Sequence, residues 1–200
     1  MTLSKSALIW RTFERTSRQS QNLTERSEVL PFFRSHPNLA AFIADYHPGI
    51  LKLNRSIAFE YQLFGDFGAD LVLGDPLTST FCFVEFEDAS AESVFKVTGR
   101  SIPAWAPRFL AGLGQVIDWF WKLSEYQHTP DFIRKFGNRP VDFEGILVIG
   151  RSAGMADRER QRLLWLTRNC VVNSKHVRFL TLDDIYRDLS DRYQAYMAVL

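Results

Sequence analysis

Apolar and polar positions change period several times along the chain, and each change marks an element. Ile57, Phe59, Tyr61 and Leu63 alternate with Ala58, Glu60 and Gln62, the period-two pattern of a half-buried strand. Two apolar runs follow, 69–73 and 81–87, separated by Gly74-Asp75-Pro76-Leu77-Thr78-Ser79-Thr80, which predicts a hairpin. Phe109, Leu113, Val116, Phe120 and Leu123 recur at three- and four-residue intervals, so an amphipathic helix is expected from Arg108 to about Tyr126. Gly145-Ile-Leu-Val-Ile-Gly reads as a short interior strand. A helix leading into it implies a parallel crossover.

The remaining elements carry weaker signals. Ser35-His-Pro begins a helix with Pro37 in its first turn, and that helix stops before Pro48-Gly49. A charged helix covers roughly 156–169 and a short strand 176–180. Thr181 then caps a last helix with Asp183 and Asp184 in its first turn. Residues 88–107 read as a long connection with helix-like pieces, broken by Gly99, Pro103 and Pro107. Residues 1–30 are polar and charged, with Trp10 and Phe13 as apolar anchors, and read as a packed arm or a partly loose extension. The order is helix, three strands, helix, strand, helix, strand, helix. It predicts an α/β domain around a central mixed sheet, covering 51–200, with 1–50 as an N-terminal helical extension.

Composition narrows the classes without choosing among them. The 200 residues, 46% of them hydrophobic and 24% charged, suit one globular domain rather than a disordered chain. The formal net charge of +1 gives no global attraction to nucleic acid, so any basic surface must be local. Cys82 and Cys170 are far apart, each in an apolar run, and are expected as buried free thiols. The four histidines lack metal-ligand spacing, which argues against zinc. No leader and no apolar run long enough to span a membrane is visible, so an intracellular, soluble protein is expected.

Candidate chemistry concentrates in the hairpin. If its turn centres near Leu77 and Thr78, residues whose numbers sum to about 155 face one another, and Asp70 meets Glu85. Glu87 falls on the same face as Glu85. Like charges opposed in a sheet are destabilising, more so when buried. A hard divalent cation reverses that cost. The bland readings are a solvated hairpin face or a buried ion pair, but the flanking residues are apolar on both faces.

Other residues gain meaning only from placement. Gln115 is either a polar flank of its helix or, if that helix packs over the carboxylates, an amide that orients water or phosphate. Glu60 either adds a fourth carboxylate or is solvated. Arg151, at the end of the 145–149 strand, either touches phosphate or forms a structural salt bridge. The arginine-rich run 158–162 reads as a solvated helix face, with nucleic-acid contact as the lesser reading. Trp119, Phe120 and Trp121 read as packing rather than base stacking.

This arrangement resembles the PD-(D/E)XK nuclease superfamily at Ala69-Asp70, Glu85-Phe86-Glu87 and Gln115. More narrowly it resembles the nuclease domain of the Shedu anti-phage defence family. The narrower likeness rests on 84–89, on Phe109, Gln115, Asp118 and Trp119, on 148–151, and on 181–185. The resemblance implies a Mg²⁺- or Mn²⁺-dependent endonuclease acting on DNA, cytoplasmic in a bacterium and homo-oligomeric. Asp70, Glu85 and Glu87 would be its metal-binding residues, and with Gln115 its catalytic ones. Glu87 departs from the family pattern, since that position most often holds a lysine. Glu there makes the site more dependent on metal for positive charge, and Lys122 or Lys96 would supply a displaced cation if the fold brings either close. Two rivals stay open: a nuclease fold without catalysis that binds or assembles, and an interaction subunit built on Trp105, Trp119 and Trp121.

Overall fold

The computed structural model describes residues 22–50, 56–65, 67–99, 101–137 and 140–197. Its centre is a six-stranded sheet assembled from β1 (Ser56–Gln62), β2 (Gly68–Asp75), β3 (Thr80–Phe86), β6 (Asp142–Val148), β7 (Val171–Val172) and β8 (Lys175–Leu180). The spatial order is β1-β2-β3-β6-β8-β7. Neighbours β1, β2 and β3 pair antiparallel, whereas β3–β6 and β6–β8 are parallel. The expected α/β class and mixed sheet are therefore present.

The hairpin register is the one its turn implied, with Leu71 opposite Val84, Val72 opposite Phe83 and Asp75 opposite Thr80. Asp75 closes the turn by accepting the Leu77 amide at 3.0 Å, a local bond that short acidic side chains make readily. The parallel crossover from β3 to β6 contains α3 (Pro107–Tyr126) and α4 (Pro130–Phe136).

Two buried layers sandwich the sheet. On one face α3, α4 and α5 (Asp157–Asn169) cover Phe81, Phe83, Leu147 and Phe179. On the other, Leu30, Phe33 and Ile43 from the N-terminal segment and Ile185 and Leu189 from α6 (Leu182–Met197) cover Leu71, Val84 and Ile146. The N-terminal segment contains α1 (Leu30–Ser35) and α2 (Pro37–Ala41), the latter followed by a tight 3₁₀ turn at Phe42–Tyr46. Residues 22–50 thus contribute core to the sheet's second face. The expectations for Trp10, Phe13 and the rest of 1–21 lie outside the described residues.

Helix α3 sits tightly on the sheet because two glycines remove side chains at the contact. A Cβ on Gly145 would lie 2.4 Å from Val116 Cγ1, and one on Gly112 would lie 2.7 Å from Leu147 Cδ1. Thr181 caps α6 as expected: its hydroxyl oxygen accepts the Asp184 amide at 3.2 Å, and Asp184 in return accepts the Thr181 amide at 3.0 Å.

Several expectations need correction. Among the described residues of 88–106 there is no helix; the segment contains a short ribbon, β4 (Phe95–Lys96) against β5 (Ala104–Trp105). Helix α4 was not anticipated, although Thr129 accepts the Phe132 amide and Pro130 opens the first turn, a readable start signal. The alternation of β1 also fails midway. Phe59 packs on the second face and Tyr61 on the first, because Glu60 between them adopts φ +49°. In β2, Ala69 and Leu71 also lie on opposite faces, on either side of Asp70. Cys82 is buried and free, as expected; Cys170 is free but only half-buried, at the end of α5. Trp119 and Phe120 are core, while Trp121 is half exposed against Phe67.

Candidate functional site: an acidic cleft beside the central strands

The change of face at Asp70 creates the site. In a regular strand its side chain would stand on one face of the sheet. Here it turns into the gap between β2 and β3 and accepts the Phe86 amide at 2.8 Å. The main-chain ladder reaches Leu71–Val84 and goes no further toward Asp70, so the carboxylate takes the place of a missing backbone acceptor. Across the other edge, the Asp70–Glu60 position is also skipped in the β1–β2 ladder.

Strand alternation places Glu85 and Glu87 on the face covered by α3, alongside Phe83. Both are buried. Gly112 lets the helix pass close over Glu87, since a Cβ there would be 3.2 Å from Glu87 Cγ. One turn farther along, Gln115 hydrogen-bonds Glu85. The helix therefore packs over the carboxylates, the placement on which a role for Gln115 depended.

Asp70, Glu85, Glu87 and Gln115 line one open cleft of about 680 Å³, together with Glu25, Glu60 and Arg108. The electrostatics are strained. Burial, then the charges of Asp70, Glu87 and Glu25, push the Glu85 carboxyl up to about 9, although the Gln115 bond opposes the shift. Burial raises the Asp70 carboxyl too, against the opposing hydrogen bond from Phe86. Such shifts, from desolvation plus like charges in a cleft, are typical of functional carboxylates.

The cation that reaches the carboxylates is Arg108, not a lysine. Its Nη1 donates to Glu87 Oε2 at 2.7 Å, and its Nε lies 3.2 Å from Asp88 Oδ2. Lys122 instead pairs with Glu125 at 3.2 Å and lies over the Tyr126 ring. Lys96 sits on the ribbon strand β4 and does not line the cleft.

A second unanticipated member is Glu25. Its amide donates to Asp88 at 2.8 Å, and a bridge between Leu23 and Ala89 ties the same segment down. Its carboxylate lies 3.9 Å from Arg108 and is raised first by burial, then by Asp70 and Glu87. Glu60 does join the cleft, held there by Arg34 at 2.5 Å. Arg151 makes the structural salt bridge, with Asp183 at 2.7 Å.

Among the described residues, no three acidic, histidine or cysteine side chains are grouped closely enough to hold a metal ion, so Asp70, Glu85 and Glu87 share the cleft without forming a three-residue cluster. No described helix is long and apolar enough to cross a membrane. Residues 22–186 match the family model described as Shedu protein SduA, C-terminal. None of the curated proteins matches the chain.

Proposed function

The chain belongs to the Shedu SduA C-terminal family, and from that premise we propose that it is a divalent-cation-dependent DNA endonuclease of PD-(D/E)XK type, acting in bacterial anti-phage defence. The observation that carries the reading is Glu85: a buried carboxyl held among Asp70, Glu87 and Glu25 with an amide from α3 upon it. A purely structural cleft gains nothing from that concentration of unfavourable charge. The sheet order, three antiparallel strands followed by parallel crossovers, also supports the superfamily assignment.

The donor set fits a hard cation. Mg²⁺ is usually held by one or two carboxylates and completes its shell with water and substrate phosphate, so an open cleft that offers two carboxylates suits it. Asp70 and Glu85 would hold the ion, and Mn²⁺ would serve equally. When bound, it supplies positive charge at the scissile phosphate and acidifies water. Asp70 is kept in place by the Phe86 amide. Gln115 favours the charged form of Glu85, the form that binds a cation. Glu87 accepts a proton from, or orients, the attacking water, and Arg108 steadies Glu87 where the family pattern has lysine. The half-exposed guanidinium of Arg108 also offers a contact for a phosphate oxygen.

Conversion of supercoiled plasmid to nicked or linear DNA, with Mg²⁺ or Mn²⁺, tests the reading. Cutting by wild type and none by Asp70→Ala is the expected result. Equal cutting by both would place the activity elsewhere.

One observation favours a second reading. Arg108 already neutralises Glu87, which suits a nuclease fold that has stopped cutting and now binds or assembles. That protein would bind DNA without cleaving it in either metal, and Asp70→Ala would leave binding unchanged.

A further inference from the structure

Helix α5 has an inner and an outer side with different chemistry. On the inner side Leu163 is buried, and Arg162 lies 4.8 Å from the Trp105 ring centre while donating to the Pro103 carbonyl at 2.8 Å. The outer side carries Arg158, Gln161, Trp165 and Arg168 at intervals of three, four and three, which is one stripe of a helix. Trp165 is 65% exposed. Large aromatic rings are rarely left so open, and nothing among the described residues covers this one.

The charges on the stripe are unbalanced. Both acids of the helix are already engaged: Asp157 pairs with Arg160 at 3.6 Å, and Glu159 accepts the Ala156 amide at 2.9 Å. Among the described residues, Arg158 and Arg168 have no carboxylate partner. The stripe is thus an exposed indole flanked by two uncompensated guanidiniums, with an amide between. The two arginines are separated by about 15 Å along the helix axis, a span of a few nucleotides.

We propose that this outer stripe of α5 binds a single-stranded stretch of nucleic acid, with Trp165 stacking on an unpaired base and Arg158 and Arg168 contacting phosphates. Sequence-tolerant single-strand binding combines these two elements, an aromatic platform and cations that track the backbone. Tryptophan and arginine also anchor protein interfaces, but two guanidiniums without carboxylate partners on one stripe complement a polyanion. The inference goes beyond hydrolysis and does not depend on it, since no residue of the acidic cleft takes part.

The test is fluorescence anisotropy of a labelled oligothymidine strand titrated with the full chain in chelator, over a range of salt. Without divalent cation, failure of the nuclease reading does not affect the result. Trp165→Ala should weaken binding about tenfold, and Trp165→Phe should retain most of it. Replacing Arg158 and Arg168 together with alanine should flatten the plot of log affinity against log salt by about 1.4. All three variants change exposed side chains, so they should melt with wild type. Absence of wild-type binding would overturn the proposal, as would equal affinity of the Trp165→Ala and Trp165→Phe proteins. So would a fall in molar mass by light scattering on Trp165→Ala, which would mean that a second copy covers the face, beside exposed Leu164 and Val171.

Discussion

The guanidinium of Arg108 meets the carboxylate of Glu87 at 2.7 Å, joining the first turn of α3 to the end of β3. Glu87 is buried while Arg108 is half exposed, so loss of the arginine strands an acid beside Glu85 and Asp70. In chelator, Arg108→Ala should destabilise the fold by about 1–3 kcal/mol. Glu87→Gln in the same background should recover part of that loss, because the stranded charge is gone. Urea denaturation of the two single variants and the double variant measures the coupling. Strict additivity would mean that the pair holds nothing together.

Glu85 makes stability depend on pH in the direction opposite to most acids. Its folded value of about 9 lies above its ordinary 4.5, so the folded state binds the proton more tightly than the unfolded chain. Stability is therefore greatest below about 4.5, as far as this group is concerned, and falls as pH rises toward 9. Asp70, also raised, adds a slope of the same sign. Glu85→Gln should raise the metal-free melting temperature at pH 8 and leave it nearly unchanged at pH 5. Added Mg²⁺ should remove the wild-type decline above pH 7. Melts in chelator and in Mg²⁺ over that range check both, and a flat wild-type profile in chelator would remove the basis for the cation.

Much of this cleft was legible in the sequence, for a physical reason. Asp70, Glu85 and Glu87 lie within one hairpin, and hairpin register follows from the turn. The observed pairing of Leu71 with Val84 needed only the Pro76–Ser79 stretch to anticipate. The helix over the site was equally visible from the spacing of Phe109, Val116 and Phe120. What escaped was long-range or irregular. Arg108 carries no local sign that its guanidinium reaches back to Glu87, and the sequence pointed to Lys122 or Lys96 instead. Glu25 arrives from a segment whose position is set by the pairing of Leu23 with Ala89. The turn of Asp70 into the strand gap lies opposite Glu60 at φ +49°, a conformation that strand periodicity assumes away.

Gln115 is a positioning residue whose effect should appear in a pH profile. Its hydrogen bond favours the ionised form of Glu85. Gln115→Ala removes that bond and should move the half-maximum of plasmid cutting upward by roughly half to one pH unit. At high pH the rate should approach that of wild type. Gln115→Glu adds another acid to the cleft and should be worse than alanine at every pH. A uniform loss with an unshifted profile would mean that Gln115 acts on substrate and not through Glu85.

Gly145 sets how close α3 can come to the sheet, and with it the height of Gln115 above Glu85. A methyl group there would sit 2.4 Å from Val116 Cγ1 and 2.9 Å from Phe120 Cζ. Neither neighbour can yield easily, since both are fully buried. Gly145→Ala therefore pushes the helix outward or distorts β6, costing about 1–3 kcal/mol of stability. The paired change Val116→Ala makes room for the methyl group and should return part of that loss. The two variants separate packing from chemistry. If the helix must lie close for Gln115 to reach Glu85, cutting by Gly145→Ala should fall well before the fold is lost, and Val116→Ala should restore it. Cutting that tracks only the folded fraction, measured by circular dichroism at the assay temperature, would mean that α3 shapes the core and not the cleft.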